Sequence, residues 1–308
     1  MPNPESPTFA VVVPATAGPP TLERCVAALR RAGCRPQELV VQRRPAGAGP
    51  AAARNLGAAA CEAEVVAFVD ADVEVHPDAL DRLRAAFAAD PGLTAVFGAY
   101  DDRPAAPGAV SRFRNLLHHH VHATAAGPAE TFWAGLGAVR RDAFLAADGF
   151  DAERYPAPAV EDIELGMRLR AGAARIELDP RIRGTHLKRW SLAGMLWTDF
   201  ARRGVPWVRL QLEARRAGGT LNLAPRHRAS TIACLAAAAA LVARRPLAAG
   251  ACGALLAALN ASFYRLLARR GGPALLAAGI PLHALHHLAG AASAAAGVAA
   301  HLLSRGRS

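Results

Sequence analysis

Along the first ninety residues, short solid apolar runs alternate with stretches whose apolar positions recur every three or four residues. Residues 9–13 form such a run, closed by Pro14, and predict a buried strand; Leu22, Val26 and Leu29 then follow at helical spacing. A second apolar stretch at 39–41 leads into a Pro/Gly/Ala loop at 45–50, after which Pro50 suits the first turn of a helix reaching about residue 60. Residues 65–69 are the most strand-like run, and they deliver Asp70-Ala71-Asp72 at their carboxyl end before Pro77 opens a helix bearing Leu80, Leu83 and Phe87. The alternation β-α-β-α-β-α predicts an α/β fold with parallel strands joined by right-handed crossovers, in which ligands bind beyond the carboxyl ends of the strands. Asp70 and Asp72 are thereby expected at the site.

From 93 to 225 the pattern becomes mixed, with a helix predicted at 110–122, a Gly-rich stretch at 135–137 and a helix beginning near Glu161. Three apolar runs fill the end of the chain, at 229–243, 246–264 and 271–303, the last interrupted by Pro281, His283, His286 and His287. A bilayer core needs about 20 apolar residues per helix, so the second and third runs are long enough and the first is marginal. The expected organisation is a catalytic domain at 1–225 and a membrane-associated helical region at 226–308 with two or three hydrophobic segments, transmembrane or interfacial. The competing reading of the tail is an Ala-rich helical core domain.

Charge sharpens this division. The 308-residue chain has a formal net charge of +11, and residues 226–308 hold nine arginines and no acidic residue. The first 225 residues are therefore close to neutral, which argues against a nucleic-acid-binding face. Arginines that bracket apolar runs fit anionic headgroups instead. Five cysteines stand singly, without metal spacing or a disulfide framework, and suit a reduced compartment. The start of the chain lacks a basic segment followed by an apolar run, so the catalytic domain is expected to face the cytoplasm from the inner membrane.

The chemistry begins with Asp70 and Asp72. Two carboxylates flanking one small residue at a strand end can share a hard divalent cation, magnesium or manganese, and leave coordination positions open for a diphosphate. Read alone, the pair is equally a surface turn. Asp162 lies at the start of a helical pattern, 161–170, where the helix dipole favours an ionised carboxylate able to accept a hydroxyl proton; ordinary first-turn acids look the same. His118, His119, His120 and His122 point in different directions on a helix and suit a solvated or membrane-proximal face better than a metal site.

Taken together, residues 11–14 (VVVP), 49–57 (GPAAARNLG), 68–72 (FVDAD), 149–151 (GFD), 161–165 (EDIEL) and 186–190 (HLKRW) resemble family-2 glycosyltransferases of the GT-A fold, in order and in spacing, over about residues 8–215. The resemblance implies a mixed, mainly parallel sheet flanked by helices with a Rossmann-like nucleotide-binding half. It implies Asp72 as metal ligand, Asp70 as its partner near the ribose or metal, and His186 as a late third ligand. Asp162 matches the catalytic base. Pro14, Ala15, Thr16 and Arg54 match the nucleotide-binding positions, with Gln42 standing where the family commonly has an aspartate for the base. Lys188, the chain's single lysine, and Arg189 fall in a basic segment suited to phosphate. Trp133, Gly135, Glu161 and Trp190 fall on the acceptor side, although tryptophans there serve packing equally well.

The function so implied is metal-dependent, inverting transfer of a sugar from a nucleotide-sugar donor to a hydroxyl of a lipid-linked or polysaccharide acceptor at the membrane, as in cell-envelope polysaccharide synthesis. Two alternatives stand beside it: an enzyme that charges polyprenyl phosphate with one sugar, which needs Asp162 less, and a catalytically silent membrane protein that keeps the fold.

Overall fold

The computed structural model of the chain describes residues 7–214 and 225–305. It divides into two compact units, one made of Met1–Ala105 with His122–Lys188, the other of Ala106–Val121 with Arg189–Ser308.

The first unit begins as the sequence predicts. Strand β1 (Phe9–Pro14) is followed by helix α1 (Leu22–Arg31), β2 (Leu39–Gln42), α2 (Pro50–Ala59), β3 (Val65–Val69), a short β4 (Val73–Val75) and α3 (Ala79–Ala89). The β-branched residues of β1 and β3 suit a pleated interior, and Pro50 occupies the first turn of α2, where its missing N–H costs nothing. β5 (Ala95–Tyr100), α4 (Ala109–Ala123), β6 (Gly127–Pro128), β7 (Leu136–Arg140), α5 (Arg141–Ala146), α6 (Glu161–Ala171) and β8 (Ile176–His186) complete it, α4 running on from the second unit.

The sheet has eight strands in the order β2-β1-β3-β7-β5-β8-β4, with β6 paired to β8. β1 runs parallel to β2 and β3, and β5 runs parallel to β8. The simple β-α repeat breaks where β7 inserts antiparallel between β3 and β5, and where β4 pairs antiparallel with the end of β8. The result is a mixed sheet with flanking helices. Its core packs Phe9, Val11, Val65 and Val69 against Leu22, Leu29, Leu80 and Phe87. On the opposite side of β3, Phe68 meets Phe144 and Phe150, with ring centroids 5.4 and 5.2 Å away.

The second unit gathers helix α7 (Leu192–Trp197), a wide π-helical turn (Thr198–Gly204), α8 (Val205–Glu213), α9 (Pro225–Val242), α10 (Pro246–Leu259) and α11 (Ala261–Arg305). Phe113, Leu116, Met195, Phe263, Leu267 and Leu275 form its apolar core. Segments 106–121 and 189–214, expected within a catalytic domain ending at 225, thus belong to the unit of the C-terminal helices. α11 is bent at Gly272, with φ 65° and ψ −169°, directly before Pro273.

Two expectations change. The apolar run at 246–264 is not one helix: it breaks at Asn260, whose buried amide nitrogen donates to Ser230 Oγ at 2.8 Å and to the Leu256 carbonyl at 3.0 Å. Among the described residues, one helix, Ala261–Ser304, is long and apolar enough to cross a membrane, by length and composition only. The histidines of α4 do not form a solvated face either, since His120 and His122 are buried and His122 Nδ1 lies 3.0 Å from the Gly98 carbonyl oxygen.

Candidate functional site

β3 ends at Val69 and the chain turns through Asp70-Ala71-Asp72 into β4, a turn closed by the Val73 N–H donating to the Asp70 carbonyl at 2.9 Å. The Asp70 N–H donates to the Gly135 carbonyl at 3.0 Å, which fixes the turn to the segment that enters β7. Because β4 and β8 pair in a register that sets Val73 opposite His186, and Leu187 N–H donates to the Asp72 carbonyl at 2.8 Å, residues far apart in the chain become neighbours. His186 Nε2 lies 3.5 Å from Asp72 Oδ2. The imidazole itself is stacked on one face: the ring of Tyr100, the last residue of β5, lies on it with centroids 4.2 Å apart and planes 9° from parallel.

Asp70 faces the other way. Its Oδ1 accepts from Arg54 Nη2 at 2.6 Å, and Arg54 Nη1 donates to Glu161 Oε1 at 2.9 Å. The guanidinium is buried and lies over the ring of Phe150, 5.4 Å from its centroid. Burial disfavours its charge, but Asp70, Glu161 and Asp162 outweigh that and hold its pKa above the ordinary arginine value. The two aspartates are driven apart in acidity. Burial raises the pKa of Asp70 against the pull of Arg54, with Asp72 adding to the rise; burial also opposes the charge on Asp72, but His186 and Lys188 outweigh it and lower its pKa. Two like charges one residue apart thus divide into a carboxylate neutralised by arginine and one facing an imidazole.

For a divalent cation the expected set Asp70, Asp72 and His186 is assembled in part. Asp72 and His186 stand together as an oxygen and a nitrogen donor, whereas Asp70 is engaged by Arg54, and among the described residues no three His, Cys, Asp or Glu side chains form a ready cage. Two protein ligands fit a cation that takes its remaining ligands from a diphosphate and water.

Asp162 sits in the first turn of α6. Its Oδ1 accepts from the Ile163 N–H at 2.9 Å and its Oδ2 from the Ala134 N–H at 3.2 Å, so the carboxylate is held against the loop carrying Trp133 and Gly135. Trp133 meets Tyr100 and His122 edge-on, with centroids 4.9 and 5.2 Å away. A Cβ on Gly135 would come 2.5 Å from the Trp133 ring, so glycine is required for that ring position. Glu161 is pinned by Arg54 and by the Ala159 N–H at 2.9 Å, which makes it a support for Arg54.

At the end of β1, Ala15 N–H donates to the Gln42 carbonyl at 2.8 Å, Thr16 Oγ donates to the Ala48 carbonyl at 2.5 Å, and Gly47 N–H donates to the Thr16 carbonyl at 3.2 Å. Pro14, Ala15 and Thr16 are thus built into one loop wall with Gln42, whose side-chain nitrogen donates to the Arg44 carbonyl. Lys188 and Arg189 are exposed. Arg189 and Trp190 belong to the second unit, where the Trp190 N–H donates to Ser111 Oγ at 2.9 Å and Arg114 lies over the indole, 5.6 Å from the ring centroid.

Three residues outside the sequence expectations belong to this construction. Tyr100 carries the face of His186. Asp101, buried at the end of β5, accepts from Thr185 Oγ at 2.5 Å and from the Arg103 N–H at 3.0 Å, with His76 Nε2 at 3.0 Å, and so ties β5 to the residue before His186. The signal for it was an acid at the carboxyl end of a strand, the same position Asp70 holds after β3. Asn55 clasps Phe150 by its backbone, donating to the carbonyl at 2.7 Å and accepting from the N–H at 2.9 Å. Gly149 is needed beside that clasp, with φ 62° and room for no Cβ within 2.6 Å of Asn55 Oδ1.

Residues 32–145 match the model of the family described as glycosyl transferase family 2, a stretch that holds Gln42, Arg54, Asp70, Asp72, Trp133 and Gly135 but stops before Asp162 and His186. No curated protein sequence matches the chain. Among solved structures, a mannosyltransferase from Pyrobaculum calidifontis in complex with GDP-Man and Mn2+ superposes with a TM-score of 0.52 at 19% identity, covering 94% of this chain and 87% of that one. GalNAc-T7 with UDP, GalNAc and Mn2+ reaches 0.49 at 15% identity over 75% of this chain and 51% of that one. TarS of S. aureus reaches 0.44 at 17% identity over 73% and 42%. The first shows a shared GT-A fold; the other two are too distant to add to it.

Proposed function

We propose that this chain, whose residues 32–145 match the model of glycosyl transferase family 2 and whose fold is that of GT-A enzymes, transfers a sugar, with inversion, from a nucleotide-sugar donor to a hydroxyl of a membrane-associated lipid-linked or glycan acceptor. The observation that carries the proposal is the pairing of Asp72 with His186, 3.5 Å apart beside an Asp70 already neutralised by Arg54. The donor and the cation are the ligands named for the Pyrobaculum mannosyltransferase, brought to this chain as part of the proposal.

Asp72 and His186 would hold manganese or magnesium. When bound, such a cation neutralises charge on a diphosphate leaving group. Arg54 holds Asp70 in place, so the turn at 70–72 presents a fixed shape to the ribose side of the donor. Pro14, Ala15, Thr16 and Gln42 wall the base end, and Lys188 supplies positive charge for phosphate. Asp162, held by the Ala134 N–H, takes the proton of the acceptor hydroxyl as its oxygen bonds to the anomeric carbon and the bond from that carbon to the departing phosphate oxygen breaks. One displacement inverts the centre. Trp133, Gly135 and Glu161 shape the acceptor side. The apolar helices Pro246–Leu259 and Ala261–Ser304 together support a membrane setting, which we take as the inner membrane with the catalytic unit towards the cytoplasm.

The test is binding of UDP, GDP, dTDP and CMP to purified protein with and without manganese, in wild type and Asp72→Ala. Cation-dependent binding of one nucleotide, abolished by the substitution, is the expected result; folded protein that binds none of them refutes the proposal. With the donor known, an Asp162→Asn variant that keeps full turnover would redirect the acceptor from a hydroxyl to a phosphate.

A further inference from the structure

The helix that passes the length test for a membrane span is also tied into its own unit by polar side chains. On α11, His283 and His287 are buried, at 1% and 3% exposure. His283 Nδ1 lies 3.0 Å from Tyr264 Oη, His287 Nδ1 lies 3.1 Å from Thr231 Oγ on α9, and His286 Nδ1 lies 2.8 Å from Asp199 Oδ2. A helix that anchors its middle to α9 and to the turn at 198–204 behaves as the spine of the unit.

The helix that fails the test is the uncovered one. Of the fourteen residues of α10, Leu256 is the buried one, and no charged side chain lies between Pro246 and Leu259. Its start and the end of α9 form the tip of a helical hairpin, with Leu247 90% and Val242 86% exposed; Ile232, Leu235, Leu241 and Leu255 extend the apolar surface along both limbs. The base of the hairpin is clipped by the Asn260 to Ser230 hydrogen bond.

We propose that the α9–α10 hairpin is the membrane-binding surface of the chain, and that it lies in the headgroup–acyl boundary of an anionic bilayer without crossing it. Length and charge placement decide this arrangement. Fourteen helical residues span about 21 Å, short of a hydrocarbon core of about 30 Å, so the α10 limb does not reach across. Arginines stand at both ends of the hairpin, Arg226 and Arg228 at the base and Arg244 and Arg245 at the tip. Were the hairpin to dip in tip-first, the tip pair would carry two charges into hydrocarbon, where a guanidinium is costly to bury. Lying in the plane, the apolar limbs sink into the acyl boundary while both arginine pairs stay among the phosphates. The absence of any acidic residue after Glu213 makes the partner an anionic lipid surface.

The inference rests on the membrane part of the proposed function and on none of its chemistry. The experiment is flotation of the full chain with sealed vesicles of phosphatidylcholine, alone or with about one third phosphatidylglycerol, for wild type, Leu247→Glu and Arg244→Gln/Arg245→Gln. Leu247 is almost fully exposed, so its substitution spares the fold. We expect wild type to float with the anionic vesicles, Leu247→Glu to lose at least tenfold in partitioning, and the double variant to lose the anionic preference. An Arg244→Cys variant bound to preformed vesicles should remain open to an impermeant maleimide added outside, read by peptide mapping. Wild-type protein that ignores vesicles overturns the membrane reading as a whole. Flotation of Leu247→Glu equal to wild type overturns this surface alone, as does a wild-type dimer that Leu247→Glu splits without loss of flotation, and protection of residue 244 overturns the in-plane placement. Nucleotide binding by the same variants should not move, whichever way the lipid result falls.

Discussion

The ring of Tyr100 lies flat against the imidazole of His186, with centroids 4.2 Å apart, and so covers one face of the nitrogen donor that stands beside Asp72. A stacked pair of this kind contributes on the order of 0.5–1.5 kcal/mol beyond the area it buries. Tyr100→Ala should therefore weaken manganese binding by about 3- to 10-fold, whereas Tyr100→Phe, which keeps the stack, should leave it within about twofold. Titration of free manganese by electron paramagnetic resonance reads this without any sugar donor, and equal affinity in all three proteins would show that the stack does not position His186.

Arg54 is the only cation hydrogen-bonded to both Asp70 and Glu161 among the described contacts, and the Arg54 and Glu161 side chains are 5% and 6% exposed. Arg54→Met leaves a buried carboxylate without its partner and should cost about 3–5 kcal/mol of stability. Adding Glu161→Gln should restore part of that loss. Denaturant unfolding of the single and double variants measures the coupling; strictly additive losses would contradict it.

Asp199 sets an acid limit on the second unit. Burial opposes its ionisation, but Arg114 at 2.8 Å, His286 and Arg203 more than offset this and hold the carboxyl down at about 2. Its folded value lies below the unfolded one, so the stabilisation is present above about pH 4 and is lost as the pH falls towards 2. The amount at stake is about 2 kcal/mol. Wild type and Asp199→Asn should differ in unfolding midpoint at pH 6, the difference should shrink below about pH 4, and the two should converge only below about pH 2. A difference that does not shrink on acidification would show that the ion pairs are not its source.

Cys34 is buried, and burial together with Glu38 pushes its thiol up to about 11. At pH 8 the folded chain should therefore leave Cys34 unmodified by iodoacetamide under conditions that label it fully in guanidinium, as followed by peptide mass mapping. Labelling at the unfolded rate would place Cys34 in a locally open segment.

What could be read in the sequence was what is local. The strands β1 and β3, the proline-started helix α2 and the acidic turn at 70–72 each announce themselves within a few residues, through apolar runs, a first-turn proline and a carboxylate pair at a strand end. The insertion of β7 between β3 and β5 did not, because an edge-to-edge choice among strands depends on partners far away in the chain. For the same reason the histidines of α4 looked solvated: the Gly98 carbonyl that receives His122 lies on another strand. Tyr100 and Asp101 were passed over since neither falls in a local motif, and their importance appears only once β5 lies beside β8. In the tail, hydropathy located the apolar residues but not Asn260, whose hydrogen bond to Ser230 ends α10 and turns an apparent span into a short limb.

The pairing of β4 with β8 also sets when, during synthesis, the candidate cation pair comes into being. Asp70, Asp72 and Arg54 leave the ribosome early, and the whole family-matched stretch at 32–145 can be complete while the turn still has no imidazole opposite it. Only when translation has passed residue 186 and β8 has zipped onto β4 does Asp72 gain its neighbour. A product terminated before that point would carry the acidic turn without its imidazole neighbour, and so would lack half of the pair to which the proposed function assigns the cation.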